Sequence, residues 1–323
     1  MKVLFMFPGQ GPQRPGMLQG LPCGDELLAE ASEALHEDVA RLDSAEALRH
    51  TRAVQLCLLI AGVGWARELA RQGLQPDMVS GLSIGAFPAA VTAGALDFAN
   101  ALHLVALRGE LMEQAYPSGY GLTAITGLSQ SDIEPLLGDC YLANINAAQQ
   151  MVIAGSEEAM QQAAQRAAAH GAQKVHRLAV SVPSHCALLN EQARRLAQAF
   201  ADVTLTRPRY AYLSGSTARQ LWQPEQIADD LAMNMARTVR WHEAMEAANE
   251  RDVGLALEMP PGAVLTGLAR EPLARGDALS LERSGVALTP TSRAYIRPSA
   301  TSASRLGSCS RLRSKTMAIS CRI

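Results

Sequence analysis

Aromatic residues are scarce: Phe, Tyr and Trp together make up 4% of the 323 positions. A core cannot be built around large rings here and must come from Ala, Leu, Val, Ile and Met, which the 48% hydrophobic content supplies. No unbroken apolar run of about 18 residues occurs, so no membrane span is expected. The opening Met1–Phe7 is apolar, yet too short for the hydrophobic region and cleavage site of a signal peptide; it reads as a buried first strand. A large charge excess is also missing. With 29 basic and 31 acidic residues the net charge is −2, which argues against nucleic acid as the main partner. The six cysteines (Cys23, Cys57, Cys140, Cys186, Cys309 and Cys321) form no CxxC pair. A reduced, cytoplasmic protein is the expectation.

Acidic residues are absent from one stretch. Residues 283–323 hold eight basic residues, nine serines and no Asp or Glu. The remaining 282 residues therefore carry −10, because the tail adds +8 to a chain total of −2. A self-repelling segment with few apolar runs is expected to be poorly ordered. It reads either as a basic arm for an acidic partner or as a non-native extension; the second is the expectation.

The rest alternates between strand and helix patterns. Lys2–Phe7 reads as a strand ending at Pro8-Gly9-Gln10-Gly11-Pro12, a loop of special backbone geometry. Residues 25–72 are helical in character, with Leu56–Leu69 as a buried helix. Met78-Val79-Ser80 reads as a short strand, followed by helices from Ala86 and over Ala99–Gln114. Leu122–Leu128 then reads as a strand, Ser131–Leu137 as a helix with an N-cap serine, and Tyr141–Asn146 and Gln150–Ala154 as strands. Ser156 caps an alanine-rich helix, and Lys174–Val182 reads as a strand. This β-α-β-β-α-β order is that of a ferredoxin-like unit, placed over 120–183 and inserted in a larger α/β body formed by 1–119 and 184–282. A helix (Leu188–Phe200), a strand (Tyr210–Ser214), more helix and a last strand (Gly254–Met259) complete the body.

The sharpest local pattern is Gly81-Leu82-Ser83-Ile84-Gly85 between a strand and a helix. A G-x-S-x-G pentapeptide in that setting is a nucleophile elbow. The glycines permit a sharp turn, and the serine is held at a helix N-terminus, where backbone N–H groups favour developing negative charge. An ordinary strand-to-helix turn would have the same composition. A serine needs a base, and of the seven histidines His185, in Ser181-Val182-Pro183-Ser184-His185-Cys186, sits where a strand ends. Capping of the next helix is its bland alternative. His36, His50 and His103 read as solvated on helix surfaces, and His242 as structural.

Taken together and in order, these stretches resemble the malonyl-CoA:acyl-carrier-protein transacylases, from Met1 to about Arg270. Phe7-Pro8-Gly9-Gln10-Gly11 is similar to the family's N-terminal loop, which implies that the backbone N–H groups of Gln10 and Ile84 form the oxyanion hole. Ser83 matches the nucleophile. Arg108, in Leu107-Arg108-Gly109-Glu110-Leu111-Met112, matches the arginine that holds the malonyl carboxylate, a role suited to a guanidinium that binds carboxylates through two hydrogen bonds. Gly9 and Met112 fall among the substrate-binding positions. Asn144-Ile145-Asn146 with Gln150-Met151-Val152-Ile153-Ala154-Gly155 resembles a segment with an asparagine near the acyl group, taken as Asn146. Val182-Pro183-Ser184-His185 resembles the catalytic-histidine motif. Asn234, ahead of Thr238-Val239-Arg240-Trp241, aligns with a position whose main-chain carbonyl orients that histidine. Glu258-Met259-Pro260-Pro261-Gly262-Ala263-Val264-Leu265-Thr266-Gly267-Leu268 resembles the run that closes the fold.

The resemblance implies an α/β-hydrolase-like body with a parallel sheet and malonyl-CoA as substrate. It also implies an acyl carrier protein as partner, no metal or tightly bound cofactor, and a monomer or weak dimer. Three departures stand out: Leu82 replaces the usual histidine, Gly11-Pro12-Gln13 replaces G-S-Q, and Asn234 stands where glutamine is usual. These departures resemble the malonate decarboxylase epsilon branch, which would imply other decarboxylase subunits as partners. Two other readings stay open: a serine hydrolase with water as acceptor, and a non-catalytic subunit that only docks a carrier.

Overall fold

The computed structural model describes residues 1–284 except Cys23 and Pro117. Residues 285–323, and with them the expectation of a poorly ordered tail, lie outside the described residues. The strands are β1 (Lys2–Phe7), β2 (Met78–Gly81), β3 (Tyr120–Thr126), β4 (Tyr141–Ala147), β5 (Gln150–Ser156), β6 (Lys174–Arg177), β7 (Ala211–Leu213), β8 (Gln220–Leu221), β9 (Val253–Glu258) and β10 (Asp277–Ser280). The main helices are α1 (Gly24–Leu35), α2 (Thr51–Arg71), α3 (Ala86–Ala93), α4 (Phe98–Ala115), α5 (Gln130–Ile133), α6 (Glu157–Ala169), α7 (Asn190–Ala199), α8 (Pro224–Met233), α9 (Trp241–Glu250) and α10 (Val264–Ala269).

These elements make a mixed α/β fold with two sheets. The larger runs β10-β9-β1-β2-β7-β8 and is parallel except for the β7–β8 pair. Because side chains alternate along a strand, β1 feeds two cores. Val3, Phe5 and Phe7 pack with α2, α3 and α4, while Leu4 and Met6 pack with α9 and α10. Both faces being covered, β1 is apolar and buried from Val3 to Phe7, as central parallel strands are. Helix α2 is long and apolar enough to cross a membrane by length and composition, but 78% of its apolar window is buried inside the fold. It is the core helix between the sheet and α4.

The smaller sheet runs β4-β5-β3-β6, with every neighbouring pair antiparallel. One face packs on α6; the other, through Leu122, Val152 and Ala154, turns toward Cys186 and the site. The free edge of β4 is covered by the body. Val239 donates its N–H to Ala143 and accepts from Ile145, both at 2.8 Å, so the edge is not left open for pairing with another chain.

Several sequence expectations are corrected. The expected strand Lys174–Val182 stops at Arg177. Arg177 bends its own guanidinium onto the carbonyls of Tyr120, Leu122, Leu178 and Val180, replacing ladder bonds and letting residues 178–184 peel away toward the large sheet. The helix expected from Ser131 is capped by Ser129 in a capping box with Asp132, and it tightens into a 3-10 turn at Glu134 because Pro135 follows. Val253–Glu258 is not the last strand, since β10 pairs beside it. The expected helix over Leu188–Phe200 is α7 flanked by 3-10 turns.

Candidate active site

The site forms where β1 and β2 end side by side. Phe7 lies opposite Gly81 in the parallel register, so the Pro8–Pro12 loop and the Gly81–Gly85 turn leave the sheet together, joined by the Leu82 N–H to Phe7 O bond of 3.0 Å. Glycine is obligatory at two places. A Cβ on Gly81 would overlap the backbone of Gly85, and one on Gly85 would overlap the Phe7 carbonyl. Between them Ser83 adopts φ +56°, a left-handed conformation that non-glycine residues seldom take and that is held here by the turn running directly into α3. Such strain collects at functional sites.

His185 arrives from the peeled-away segment after β6, also with positive φ (+64°). Its Nε2 lies 2.8 Å from Ser83 Oγ and its Nδ1 lies 2.9 Å from the Asn234 main-chain oxygen. A carbonyl only accepts, so Nδ1 carries the proton and Nε2 is left to accept from the serine. The imidazole is buried. Burial, and then the neighbouring Arg108 charge, push its pKa down to about 4, against the raising effect of the Asn234 and Arg237 backbone contacts. At neutral pH it is an uncharged base.

Arg108, on α4, has no accessible surface at all. Its Nη1 donates to Gln55 Oε1 at 2.7 Å, and its Nη2 to Asn234 Oδ1 at 3.0 Å and Ser83 Oγ at 3.3 Å. Its Nε has no partner among the described residues. Every acceptor is neutral, and burial lowers its pKa to about 9 with no anion offsetting it. Among the described residues this buried cation has no counter-ion, an arrangement that is costly unless a ligand supplies the missing charge.

Gln55 was not singled out from the sequence. It is fully buried in α2 and donates to Gln10 Oε1 (3.2 Å) and Met112 Sδ (3.4 Å), so it joins the opening loop, α4 and Arg108. A lone amide inside the apolar run Val54-Gln55-Leu56-Cys57-Leu58 was the available signal, because a buried amide must find partners.

A cleft of about 250 Å³ opens between the two sheets over Ser83. Gly9, Gln10, Ser83, Asn146 and His185 line it, with Asn144 beside Asn146 and an apolar wall that includes Leu82, Leu178 and Leu268. Ile84, Arg108, Met112 and Asn234 do not reach its surface; they are buried behind the serine. The nine residues singled out thus fall into an open set and an enclosed set that meet at Ser83. A larger cavity of about 480 Å³, lined by Arg67, Phe98 and Arg209, lies at the opposite ends of β2 and β7. Of the other histidines, His36 and His103 are exposed. His50 pairs with Glu113, and His242 lies half-buried in α9.

Known proteins share this arrangement of chain. Residues 4–297 match the family described as "Acyl transferase domain". The chain is 37% identical over 281 residues to the malonyl CoA-acyl carrier protein transacylase of Escherichia coli K12, covering 82% of this chain and 91% of that one. The crystal structure of an acyl carrier protein S-malonyltransferase from Vibrio cholerae superposes with a TM-score of 0.82 at 34% identity, covering 87% of this chain and 96% of the other. A malonyl-transacylase solved in complex with its type II polyketide synthase acyl-carrier protein gives the same TM-score of 0.82, identity of 34% and coverage of 87% and 96%. The chain belongs to the acyl transferase family and, within it, to the malonyl-CoA:acyl carrier protein transacylases.

Proposed function

We propose that this enzyme moves malonyl from malonyl-CoA to the thiol of an acyl carrier protein through an ester on Ser83. The observation that carries the reading is the buried, counter-ion-free Arg108 in contact with the Ser83 hydroxyl, since an acyl group bearing a free carboxylate supplies what that guanidinium lacks. His185 Nε2 takes the Ser83 proton as Oγ attacks the thioester carbonyl. The Gln10 and Ile84 N–H groups hold the tetrahedral oxyanion, each such donor lowering a barrier by about 2.7 to 4 kcal/mol. The C–S bond breaks, His185 returns the proton to the departing CoA sulfur, and malonyl rests on Ser83. The carrier thiol then repeats the steps in reverse, which is ping-pong covalent catalysis.

The enclosed position of Arg108 adds one requirement. The carboxylate must displace the Ser83 Oγ contact and Asn234 Oδ1 from Nη2, exchanging neutral acceptors for a charged one. The neutral base and the carbonyl that orients it complete the set, with Gly9, Asn146 and Met112 shaping the acyl site.

The relatives support a carrier of the fatty-acid or polyketide type. The finer reading, a carrier belonging to malonate decarboxylase, rests on Leu82, Gly11-Pro12-Gln13 and Asn234. We also read the large-sheet unit (1–119 and 184–282) as α/β-hydrolase-like, supported by its parallel sheet with Ser83 at the end of β2. The unit over 120–183 we read as ferredoxin-like, supported by its strand order. Mixing the enzyme with malonyl-CoA and both carrier types, then weighing the carriers, tests the function. Malonylated carrier is expected, and its identity selects the branch. Release of CoA with both carriers unmodified would overturn transfer in favour of hydrolysis.

A further inference from the structure

We propose that Asp230 is a positioning residue for this reaction: its buried carboxylate ties the helix ending at Asn234 to the strand beside the nucleophile's, and so aims the Asn234 carbonyl at His185. Asp230 is 2% exposed. Its Oδ1 accepts from the hydroxyls of Ser214 (2.6 Å) and Ser216, and its Oδ2 accepts from Tyr212 OH at 2.8 Å. Among the described residues no guanidinium bonds to it; Arg237 pairs with the adjacent, surface Asp229 and acts on Asp230 only at longer range. Three neutral donors from one strand end therefore converge on one carboxylate of α8.

Both ends of this link lead to the reacting atoms. On one side, Tyr212 and Leu213 lie in β7, which pairs in parallel with β2, and Ser80 Oγ donates to the Leu213 carbonyl at 2.9 Å. Ser80 stands three residues before Ser83. Ser214 Oγ also accepts from the N–H groups of Ser216 and Thr217, so the turn that presents the donors is itself fixed. On the other side, Asn234 follows Asp230 by about one helical turn. Its carbonyl meets His185 Nδ1 and its side chain meets Arg108. Simple packing would be served as well by an apolar side chain, whereas three directed hydrogen bonds admit one rotation of α8. The histidine's partner is a backbone carbonyl, and a carboxylate acts on that carbonyl at one remove.

The inference rests on the transfer reading only for its activity readout; the imidazole can be followed without substrate. In the full-length protein with ¹⁵N-labelled histidine, the His185 Nδ1–H proton is assigned by its loss in His185→Gln. Asp230→Ala should keep wild-type circular dichroism, shift or broaden that resonance, and slow transfer roughly tenfold to a hundredfold, the scale of a misplacement of about 1 Å. Asp230→Asn, which keeps one acceptor oxygen, should restore part of both. A folded Asp230→Ala with the resonance unmoved, or with the wild-type rate, overturns the proposal. If Asp230→Ala does not fold, Ser216→Ala and Tyr212→Phe each remove one donor. Each should move the resonance the same way, and an unmoved resonance in both overturns the proposal. A wild-type enzyme that transfers nothing while its resonance responds to these changes would overturn the transfer reading and leave this one standing.

Discussion

Two buried charges sit one helical turn apart in their connections to Asn234, and they are treated oppositely. The Asp230 carboxylate is met by three hydroxyls from Tyr212, Ser214 and Ser216. The Arg108 guanidinium is met only by neutral oxygens and keeps one N–H without a partner. A buried carboxylate with both oxygens hydrogen-bonded specifies architecture, and a guanidinium that keeps an N–H unpartnered waits for a ligand. The stability of this fold and the selectivity of its site are thereby assigned to different ions.

The largest effect should come from removing the unsatisfied ion. Arg108→Ala should cut malonyl transfer by roughly a hundredfold or more, since losing one partner of a buried charge pair costs about 2 to 5 kcal/mol. Activity on a neutral acyl-CoA such as acetyl-CoA should hold or rise, and competition assays with the two substrates read the ratio directly. An unchanged ratio would remove Arg108 from carboxylate recognition.

Stability should respond the other way round. Asp230→Ala leaves buried hydroxyls without an acceptor, at about 1 to 3 kcal/mol for an unsatisfied buried group, and its urea midpoint should fall clearly. Arg108→Met leaves Gln55 Oε1 and Asn234 Oδ1 without their donor, but it also deletes a charge that has no counter-ion, and this offset should make its midpoint fall less. Equal midpoints for the two variants would erase the contrast.

The pH dependence sharpens the same comparison. His185 is held at about 4 by burial and by the Arg108 charge, so kcat/KM should stay level from pH 7 through the ordinary histidine range and fall only toward about pH 4. In the acyl-enzyme the malonyl carboxylate offsets Arg108, so the acid limb for deacylation should lie at higher pH, readable by pre-steady-state acylation and deacylation rates. The stability linkage follows the same depressed value. On acidification the unfolded chain takes up the histidine proton near 6.5, well before the folded one does. The contribution of His185 is therefore present above that pH and is lost as pH falls toward about 4. His185→Gln should flatten this part of the acid-unfolding curve.

The smallest effect concerns Leu82 on the cleft wall. Leu82→His brings a polar group beside Ser83 and should raise hydrolysis of the acyl-enzyme a few-fold, measured as CoA release without a carrier.

Much of the open half of the site was legible in the sequence. Gly81-Leu82-Ser83-Ile84-Gly85 announces its own turn, because no other residue than glycine fits at 81 and 85. Arg108, Gln10 and Asn234 were reached through the resemblance and not through spacing, since nothing in a helical pattern says that Arg108 is enclosed. The enclosed half was harder to read. Asp229-Asp230 resembles a solvated acidic pair, and only the packing of α8 on β7 shows that one residue faces water and the other faces three hydroxyls. The shortening of β6 was equally hidden. Apolar alternation continues through Leu178 and Val180 while the backbone has left the sheet, its carbonyls taken by Arg177. The short strands β8 and β10 carry too few residues to show a period.

The most direct test of the account is the intact mass of the protein after brief exposure to malonyl-CoA without a carrier. One malonyl adduct per chain, mapped to Ser83 and absent from Ser83→Ala, is the predicted result. An adduct that persists undiminished in Ser83→Ala, or a wild-type chain that transfers malonyl to a carrier without ever carrying it, would contradict the account.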